Sequence, residues 1–268
     1  MKVVLFCGGL GMRLYPTTEN TPKPLVPIGD RPILWHIMKY YSYFGHKDFL
    51  LCLGYKGEQI KNYFLNYDEC LSSNFVLSNG GRTKEILGKD FDDWKITFVD
   101  TGLNSNCGRR LKAVQKYVES EEVFLANYSD GVTNLPLPKL IDFFTKSKKI
   151  GCILSVKPFH SYHSLSTRSD GLVTGVLPLA ESNFRINGGY FVFKNTIFDY
   201  IKPGEDLVNE PFQRLIAKQE LMAYPFDGFW ANVDTYKEKE QLDDLASVGK
   251  AYWQVWNPPK IEAACDYA

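Results

Sequence analysis

The chain has 268 residues, 44% of them hydrophobic and 23% charged, the profile of a globular chain with a full core. Lys and Arg number 31 and so do Asp and Glu, which excludes a general attraction to nucleic acid or to an acidic membrane surface. No apolar run is long enough to cross a membrane, and none of the six cysteines is spaced Cys-x-x-Cys, which argues against a zinc site or a redox pair. The opening run Val3-Val4-Leu5-Phe6 is short and meets glycines at once, so it reads as a core strand and not as a signal peptide; the expected location is the cytoplasm.

Residues 2–7 predict a buried parallel strand that stops at Gly8-Gly9. A Gly- and Pro-rich loop runs to about Asp30, and Pro32 opens a predicted helix over 33–44. A second buried strand is predicted over 47–53 and a helix over 57–65. Residues 66–93 are polar and irregular, with Asn79-Gly80-Gly81 as a turn. Strands over 94–99 and 123–128 flank a helix over 109–118. A helix over 137–144 and a strand over 152–156 follow. This alternation predicts an α/β fold: a doubly wound, mostly parallel, Rossmann-like mixed sheet with helices on both faces. Beyond 156 the rhythm changes. Strands over 171–176 and 188–193 have no helix between them, which predicts antiparallel additions and a small insertion. Helices over 211–218 and 236–245 enclose an aromatic segment at 226–233. Trp253 and Trp256 are read as packing the last helix onto the core. One domain is expected over 1–250, with a tail over 251–268.

The central motif is Gly8-Gly9-Leu10-Gly11-Met12-Arg13-Leu14, directly after the first strand. Glycines let a backbone approach a ligand closely and aim several N–H groups at an anion. Arg13 adds a planar, permanently charged fork suited to phosphate oxygens. A P-loop is excluded, because no Lys-Ser or Lys-Thr follows Gly11. A dinucleotide fingerprint is excluded too, because the third glycine is missing and Pro16, Pro22 and Pro24 prevent a long helix from starting at the loop. The loop instead carries a second cation, Lys23, between two prolines. A stiff, twice-charged loop beside a glycine cradle suits a triphosphate.

Gly-Gly-x-Gly-x-Arg-Leu followed by Pro-Lys-Pro-Leu resembles the signature of the sugar-1-phosphate nucleotidylyltransferases. From Met1 to about Trp256 the chain is similar to the glucose-1-phosphate cytidylyltransferases among them. The segments that carry this are Arg31 to Met38, Gly54-Tyr55-Lys56-Gly57, Val99 to Gly102, Gly108 to Lys112, Tyr128 to Val132, Ile186 to Gly189, Glu210-Pro211, Gly228 to Trp230 and Asp234-Thr235. The resemblance implies transfer of CMP from CTP to a phosphorylated sugar, with release of pyrophosphate and with Mg²⁺ as cofactor. The partners are then CTP and a phosphorylated small-molecule acceptor, and a homo-oligomer is expected. It places the nucleotide half at about 1–135 and the acceptor and metal half at about 136–250.

Asp130 and Asp234 each follow an apolar segment, at strand ends where open α/β sheets bind ligands. Mg²⁺ is typically held by one or two carboxylates plus phosphates and water, so these two are the expected metal ligands. The plainer readings are a turn residue for Asp130 and a helix cap for Asp234. The acceptor's phosphate oxygen is already an anion, so no general base is required and the work falls to cations and positioning. Arg13 is assigned to the leaving pyrophosphate and Lys23 to charge near the reacting centre. Expected nucleotide contacts are Leu5, Gly8, Gly9, Gly11, Met12, Arg13, Lys23, Gly102, Arg110 and Ser129. For Arg110 the plainer reading is a solvated first-turn residue. His36 is read as a packed, hydrogen-bonded histidine, and His160 and His163 as surface residues.

The acceptor half departs from the family pattern. The Glu-Lys-Pro whose lysine grips the acceptor phosphate is absent from the stretch between Val176 and Asn187. Expected acceptor contacts are Tyr128, Asn187, Gly188, Gly189, Glu210 and Trp230, with Arg185 as a replacement charge. Glucose 1-phosphate leads as acceptor. The alternatives are another phosphorylated or phosphonylated acceptor, or a non-catalytic nucleotide-binding regulatory homologue.

Overall fold

The computed structural model describes residues 1–11, 14, 20–67, 74–87, 93–158 and 163–259. Seven strands build the main sheet: β1 (Lys2–Phe6), β2 (Asp48–Leu53), β3 (Lys95–Asp100), β4 (Val123–Asn127), β5 (Gly151–Val156), β6 (Ile186–Lys194) and β7 (Leu221–Phe226). Their order across the sheet is β7-β5-β6-β4-β1-β2-β3. β1 pairs parallel with β2 and β4, β2 with β3, and β5 with β7. β6 alone runs antiparallel, against both β4 and β5. The mixed sheet expected from the sequence is therefore present, and its antiparallel member falls in the half where the helix rhythm fails.

Strand parity divides the core in two. Val3 and Leu5 point to one face, where they meet Ile33, Leu34 and Ile37 of α1 (Ile33–Tyr43), Ile60 of α2 (Gly57–Leu65) and Leu140 of the helix Leu137–Ser147. Val4 and Phe6 point to the other, against Leu111 of α3 (Cys107–Ala113), Val118 of α4 (Gln115–Val118) and Phe212 of the helix Glu210–Ala217. The helices Leu137–Ser147 and Glu210–Ala217 are α5 and α6, and α7 is Tyr236–Ser247. Alternation at period two puts apolar residues on both faces of a central strand, which is why β1 reads as an unbroken apolar run.

Three local differences from the sequence reading have physical causes. The segment expected to be irregular holds a hairpin, Phe75–Ser78 with Thr83–Ile86, turned by Asn79–Gly81. Its residues are largely exposed, so no inward-facing alternation marks it. The strand expected over 171–176 is present as Val173–Pro178, but it pairs with His163–Thr167 in a separate exposed hairpin and does not join the main sheet. The helix expected over 109–118 is broken at Val114 into α3 and α4, and β7 emerges from a segment with no apolar alternation.

The C-terminal segment closes the α1 face. Trp253 is 1% exposed, and its indole Nε1 donates to His36 Nδ1 at 3.3 Å. The other imidazole nitrogen, Nε2, lies 3.0 Å from the Ile28 carbonyl oxygen, and Trp35, Trp253 and Trp256 surround the ring. This is the packed, hydrogen-bonded histidine the sequence suggested. Burial pushes the imidazole down from 6.5 to about 4. The unfolded chain thus takes up a proton near pH 6.5 that the folded protein refuses until about pH 4. Stability from this group is complete above about pH 6.5 and is lost as pH falls toward 4; His46, lowered to about 4 by burial and the N-terminal charge, acts in the same direction. Urea unfolding between pH 7 and pH 4.5 is expected to show a smaller loss in His36→Gln than in the wild type, by up to about 3 kcal/mol. Identical slopes contradict this account.

Candidate active site

The loops at the carboxyl ends of β1, β3 and β4 meet over one cavity of about 680 Å³. Its wall includes Phe6, Gly8 to Gly11, Lys23, Leu103 to Cys107, Arg110, Tyr128 to Asp130, Asp206 and Asp234. Ligands of open α/β sheets bind at such carboxyl ends, where loops from adjacent strands diverge.

Arg110 organises the wall that carries the glycine loop. Sequence reading allowed a solvated residue in the first turn of its helix. It is instead 3% exposed and sits in the last turn of α3. Its guanidinium donates to the carbonyl oxygens of Leu53 (3.0 Å), Gly102 (3.0 Å), Gly8 (2.9 Å) and Leu103 (3.3 Å), and to the Thr101 hydroxyl (2.7 Å). One planar fork thus ties together the chain after β1, β2 and β3. Gly8 is required for it, because a Cβ there would lie 2.1 Å from a guanidinium nitrogen. Gly11 adds a left-handed turn at φ +63°.

The opposite wall carries the charge. Lys23 lies in a single turn, Lys23–Leu25, with Pro22 as its cap and Pro24 inside it. Its ammonium donates to Asp130 Oδ2 at 2.9 Å and to Asp234 Oδ1 at 2.6 Å. Burial pushes the Lys23 ammonium down, but the charges of Asp130 and Asp234 and the hydrogen bonds to them outweigh it, so its pKa ends above the ordinary value. Asp130 is presented by a sharp turn in which Ser129 takes φ +64° and the Asn127 side-chain oxygen accepts from its N–H at 2.7 Å. Asp234 precedes α7, but Thr235 caps that helix in a reciprocal capping box with Glu238. The cap duty considered for Asp234 is thereby taken by its neighbour. Asn232 Nδ2 donates to Asp234 Oδ2 at 2.9 Å, and Glu238 accepts from the Asp234 N–H at 2.7 Å.

Two carboxylates converging on one cation provide an oxygen-only donor set, which suits Mg²⁺. Among the described residues no group of three or more His, Cys, Asp or Glu could hold a metal by itself. A metal at Asp130 and Asp234 therefore needs further oxygens from phosphate and water. Cys107 lines the cavity, and burial pushes its thiol up to about 12, so it stays protonated near neutrality.

Several expected site residues lie elsewhere. Met12 and Arg13 fall outside the described residues. Leu5 is 0% exposed in the core, because its side chain points to the α1 face; Phe6, one residue on, reaches the cavity. Gly102 supplies a carbonyl to Arg110 but does not line the cavity. Of the acceptor set, Tyr128 lines the cavity, and Asn187 Nδ2 donates to its hydroxyl at 3.1 Å. Gly189 lies so close that a Cβ would come within 2.9 Å of the Tyr128 ring, and the Gly188 carbonyl accepts from Trp230 Nε1 at 2.9 Å. Trp230 is 7% exposed and packs the core, and Glu210 is exposed at the start of α6; neither is on the cavity wall. Arg185, the expected replacement charge, is engaged elsewhere and is not on the cavity wall. It donates to the Ser155 and Phe226 carbonyls at 3.0 and 3.3 Å and is paired with Asp227, so its fork is spent bracing β5 and β7. Asn104 to Cys107 belong to the loop Gly102 to Arg110, which resembles the nucleotide-contacting part of cytidylyltransferases, whereas no motif marks Asp206 and only the fold brings it to the cavity.

Residues 2–243 match the protein family described as "Nucleotidyl transferase". The chain belongs to the nucleotidyl transferase family. It is 37% identical over 258 residues to a probable glucose-1-phosphate cytidylyltransferase of Bacillus subtilis, covering 96% of this chain and all of that protein. It is 39% identical over 257 residues to the glucose-1-phosphate cytidylyltransferase of Salmonella typhimurium, covering 96% of this chain and all of the relative. Solved structures share the fold at low identity. A UDP-glucose pyrophosphorylase complexed with UDP-glucose superposes with a TM-score of 0.67 at 13% identity, covering 92% of this chain and 98% of the other. A putative glucose-1-phosphate thymidylyltransferase from Bacillus anthracis gives 0.66 at 16%, covering 92% and 95%. No helix among the described residues is long and apolar enough to cross a membrane.

Replacing Arg110 tests its role directly. Arg110→Met removes five hydrogen bonds from one buried group, although the Leu53 and Gly8 carbonyls keep the Thr101 and Tyr55 N–H donors, and is expected to lower unfolding stability by roughly 3 kcal/mol, with weaker nucleotide binding. Exposed Arg109→Met is expected to stay within about 0.5 kcal/mol. Urea unfolding and titration calorimetry read both, and equal effects of the two substitutions contradict the assignment.

Proposed function

We propose that this nucleotidyltransferase moves CMP from CTP to a phosphorylated sugar, with glucose 1-phosphate as the leading acceptor, and releases pyrophosphate. The observation that carries the reading is Lys23 held between Asp130 and Asp234 on the wall of the glycine-loop cavity. Relatives that match over their whole length and are named glucose-1-phosphate cytidylyltransferases support the choice of base and acceptor.

In this reading an oxygen of the acceptor phosphate forms a bond to the α-phosphorus of CTP. The bond from that phosphorus to the α–β bridging oxygen breaks in line, and the electron pair leaves with pyrophosphate. No proton has to be removed from the nucleophile. Gly8, Gly9 and Gly11 let the nucleotide approach the backbone closely, and Arg110 keeps those loops in register. Lys23 offers its ammonium to phosphate oxygens and counters the charge of two approaching anions. Asp130 and Asp234 would hold Mg²⁺, which when bound neutralises phosphate charge and orients the phosphates. Arg13 is assigned to the leaving pyrophosphate on the strength of the glycine motif. Asn187 and Gly189 act through Tyr128, which they brace, and Gly188 holds Trp230 beside them.

A second reading keeps the nucleotide chemistry and changes the acceptor. It is favoured by the missing Glu-Lys-Pro and by the commitment of Arg185 to Asp227. A pyrophosphate-release assay with Mg²⁺, CTP and glucose 1-phosphate separates the two. Turnover is expected, with Asp130→Ala and Asp234→Ala each lowering kcat by at least about 100-fold. CTP binding by calorimetry without turnover moves the reading to another acceptor. Turnover unaffected by both substitutions contradicts the assigned centre.

A further inference from the structure

Asp206 belongs to no motif, yet its carboxylate is built into the cavity wall. The loop that carries it is fixed from several sides. Asn106 Nδ2 donates to the Gly204 carbonyl at 3.2 Å, and Gly108 of α3 packs so closely that a Cβ would lie 2.3 Å from the Glu205 carbonyl oxygen. Glu205 in turn accepts from the Lys202 N–H at 2.9 Å and is paired with Arg214 of α6. Within this frame Asp206 Oδ1 accepts from the Leu207 N–H at 2.8 Å. That bond orients the carboxylate, and among the described residues no donor or cation is recorded on its other oxygen.

A bare carboxylate is a costly neighbour for a site that must take an anionic acceptor. Its negative charge repels phosphate, and the water on its free oxygen is displaced when a ligand fills the cavity. A bound molecule that brings a donor to that oxygen replaces the lost hydration, and one that brings a phosphate or an apolar group does not. Asp206 stands between the segment that opens α3 and Tyr128, its charge reaching both the Cys107 thiol and the Tyr128 phenol, and Tyr128 is the ground for assigning this donor to the acceptor. Tyr128, the one expected acceptor contact on the cavity wall, shares the cavity with Asp206, and its phenol feels the Asp206 charge. The glycine loop and Lys23 line the same cavity from β1 and from the Lys23–Leu25 turn.

We infer that Asp206 is a specificity-determining residue that accepts a hydrogen bond from a hydroxyl or ammonium group on the non-phosphate end of the acceptor. This rests on the nucleotidyl-transfer reading and deepens it: the acceptor is a phosphorylated polyhydroxy or amino compound, selected by its donor group as well as by its phosphate. A site that hydrogen-bonds a substrate group rejects analogues that lack it.

Asp206→Asn is the discriminating variant, because the amide oxygen still accepts from Leu207 while the free oxygen becomes a donor. Steady-state kinetics compare it with the wild type, using CTP with glucose 1-phosphate, its 2-, 3-, 4- and 6-deoxy analogues, and glucosamine 1-phosphate. The variant is expected to lose roughly 10- to 100-fold in kcat/KM for the preferred acceptor while KM for CTP stays within about twofold. If the donor is a hydroxyl, the wild type rejects one deoxy analogue and the variant no longer does. If it is an ammonium, the wild type prefers glucosamine 1-phosphate and the variant loses that preference. An acceptor kcat/KM within about twofold of wild type, or a larger rise in the KM for CTP than for acceptor, overturns the inference and leaves nucleotidyl transfer standing. No turnover of any acceptor by the wild type, with CTP bound in calorimetry, overturns the acceptor class and this inference together.

Discussion

A single ammonium holds together the charged half of the site. Lys23 is separated from Asp130 by 107 residues and from Asp234 by 211, and it touches both carboxylates. Two carboxylates so close together would repel each other without a cation between them, and Lys23 provides one. The local structure serves this meeting. Proline at 22 and 24 stiffens the turn that carries the lysine, the Asn127 side chain pins the left-handed Ser129 that projects Asp130, and Thr235 takes over the cap of α7 so that Asp234 keeps its carboxylate for the site. The backbone bond from Val233 N–H to the Asp130 carbonyl, 2.8 Å, fastens the two acidic segments to each other.

Arg110 does for the neutral half what Lys23 does for the charged half. Four carbonyls at or beyond the ends of three strands turn toward one guanidinium, two of them, Leu53 and Gly8, while also accepting a backbone N–H. The glycine loop keeps its shape because Gly8 leaves room for that group. Among the described residues, these two cations define a cavity whose other charged groups are Asp206, Asp130 and Asp234.

Much of this was legible in the sequence, for identifiable reasons. Period-two and helical patterns are strong where elements are buried, so β1, β2, α1 and α2 were placed to within a residue or two. They fail where elements are exposed, as in the hairpin Phe75–Ser78 with Thr83–Ile86 and the strand His163–Thr167. At the site, motif residues near strand ends are legible, while which of two neighbours turns its side chain to the cavity, Leu5 or Phe6, depends on which face of β1 the loops cover. Arg110 was noticed as a charge, but its burial depends on three loops meeting and leaves no local signal. Arg185 has the right charge and the wrong partners, since Asp227 captures it.

The central claim is that an acceptor phosphate oxygen attacks the α-phosphorus of CTP within this cavity. The most direct measurement follows the oxygen. Glucose 1-phosphate labelled with ¹⁸O in its non-bridging phosphate oxygens is incubated with the protein, CTP and Mg²⁺, and the products are read by ³¹P NMR isotope shifts. The account predicts a CDP-linked sugar whose diphosphate bridging oxygen carries ¹⁸O, and unlabelled pyrophosphate. A bridging oxygen drawn from CTP, label in the pyrophosphate, or no CDP-linked product contradicts it.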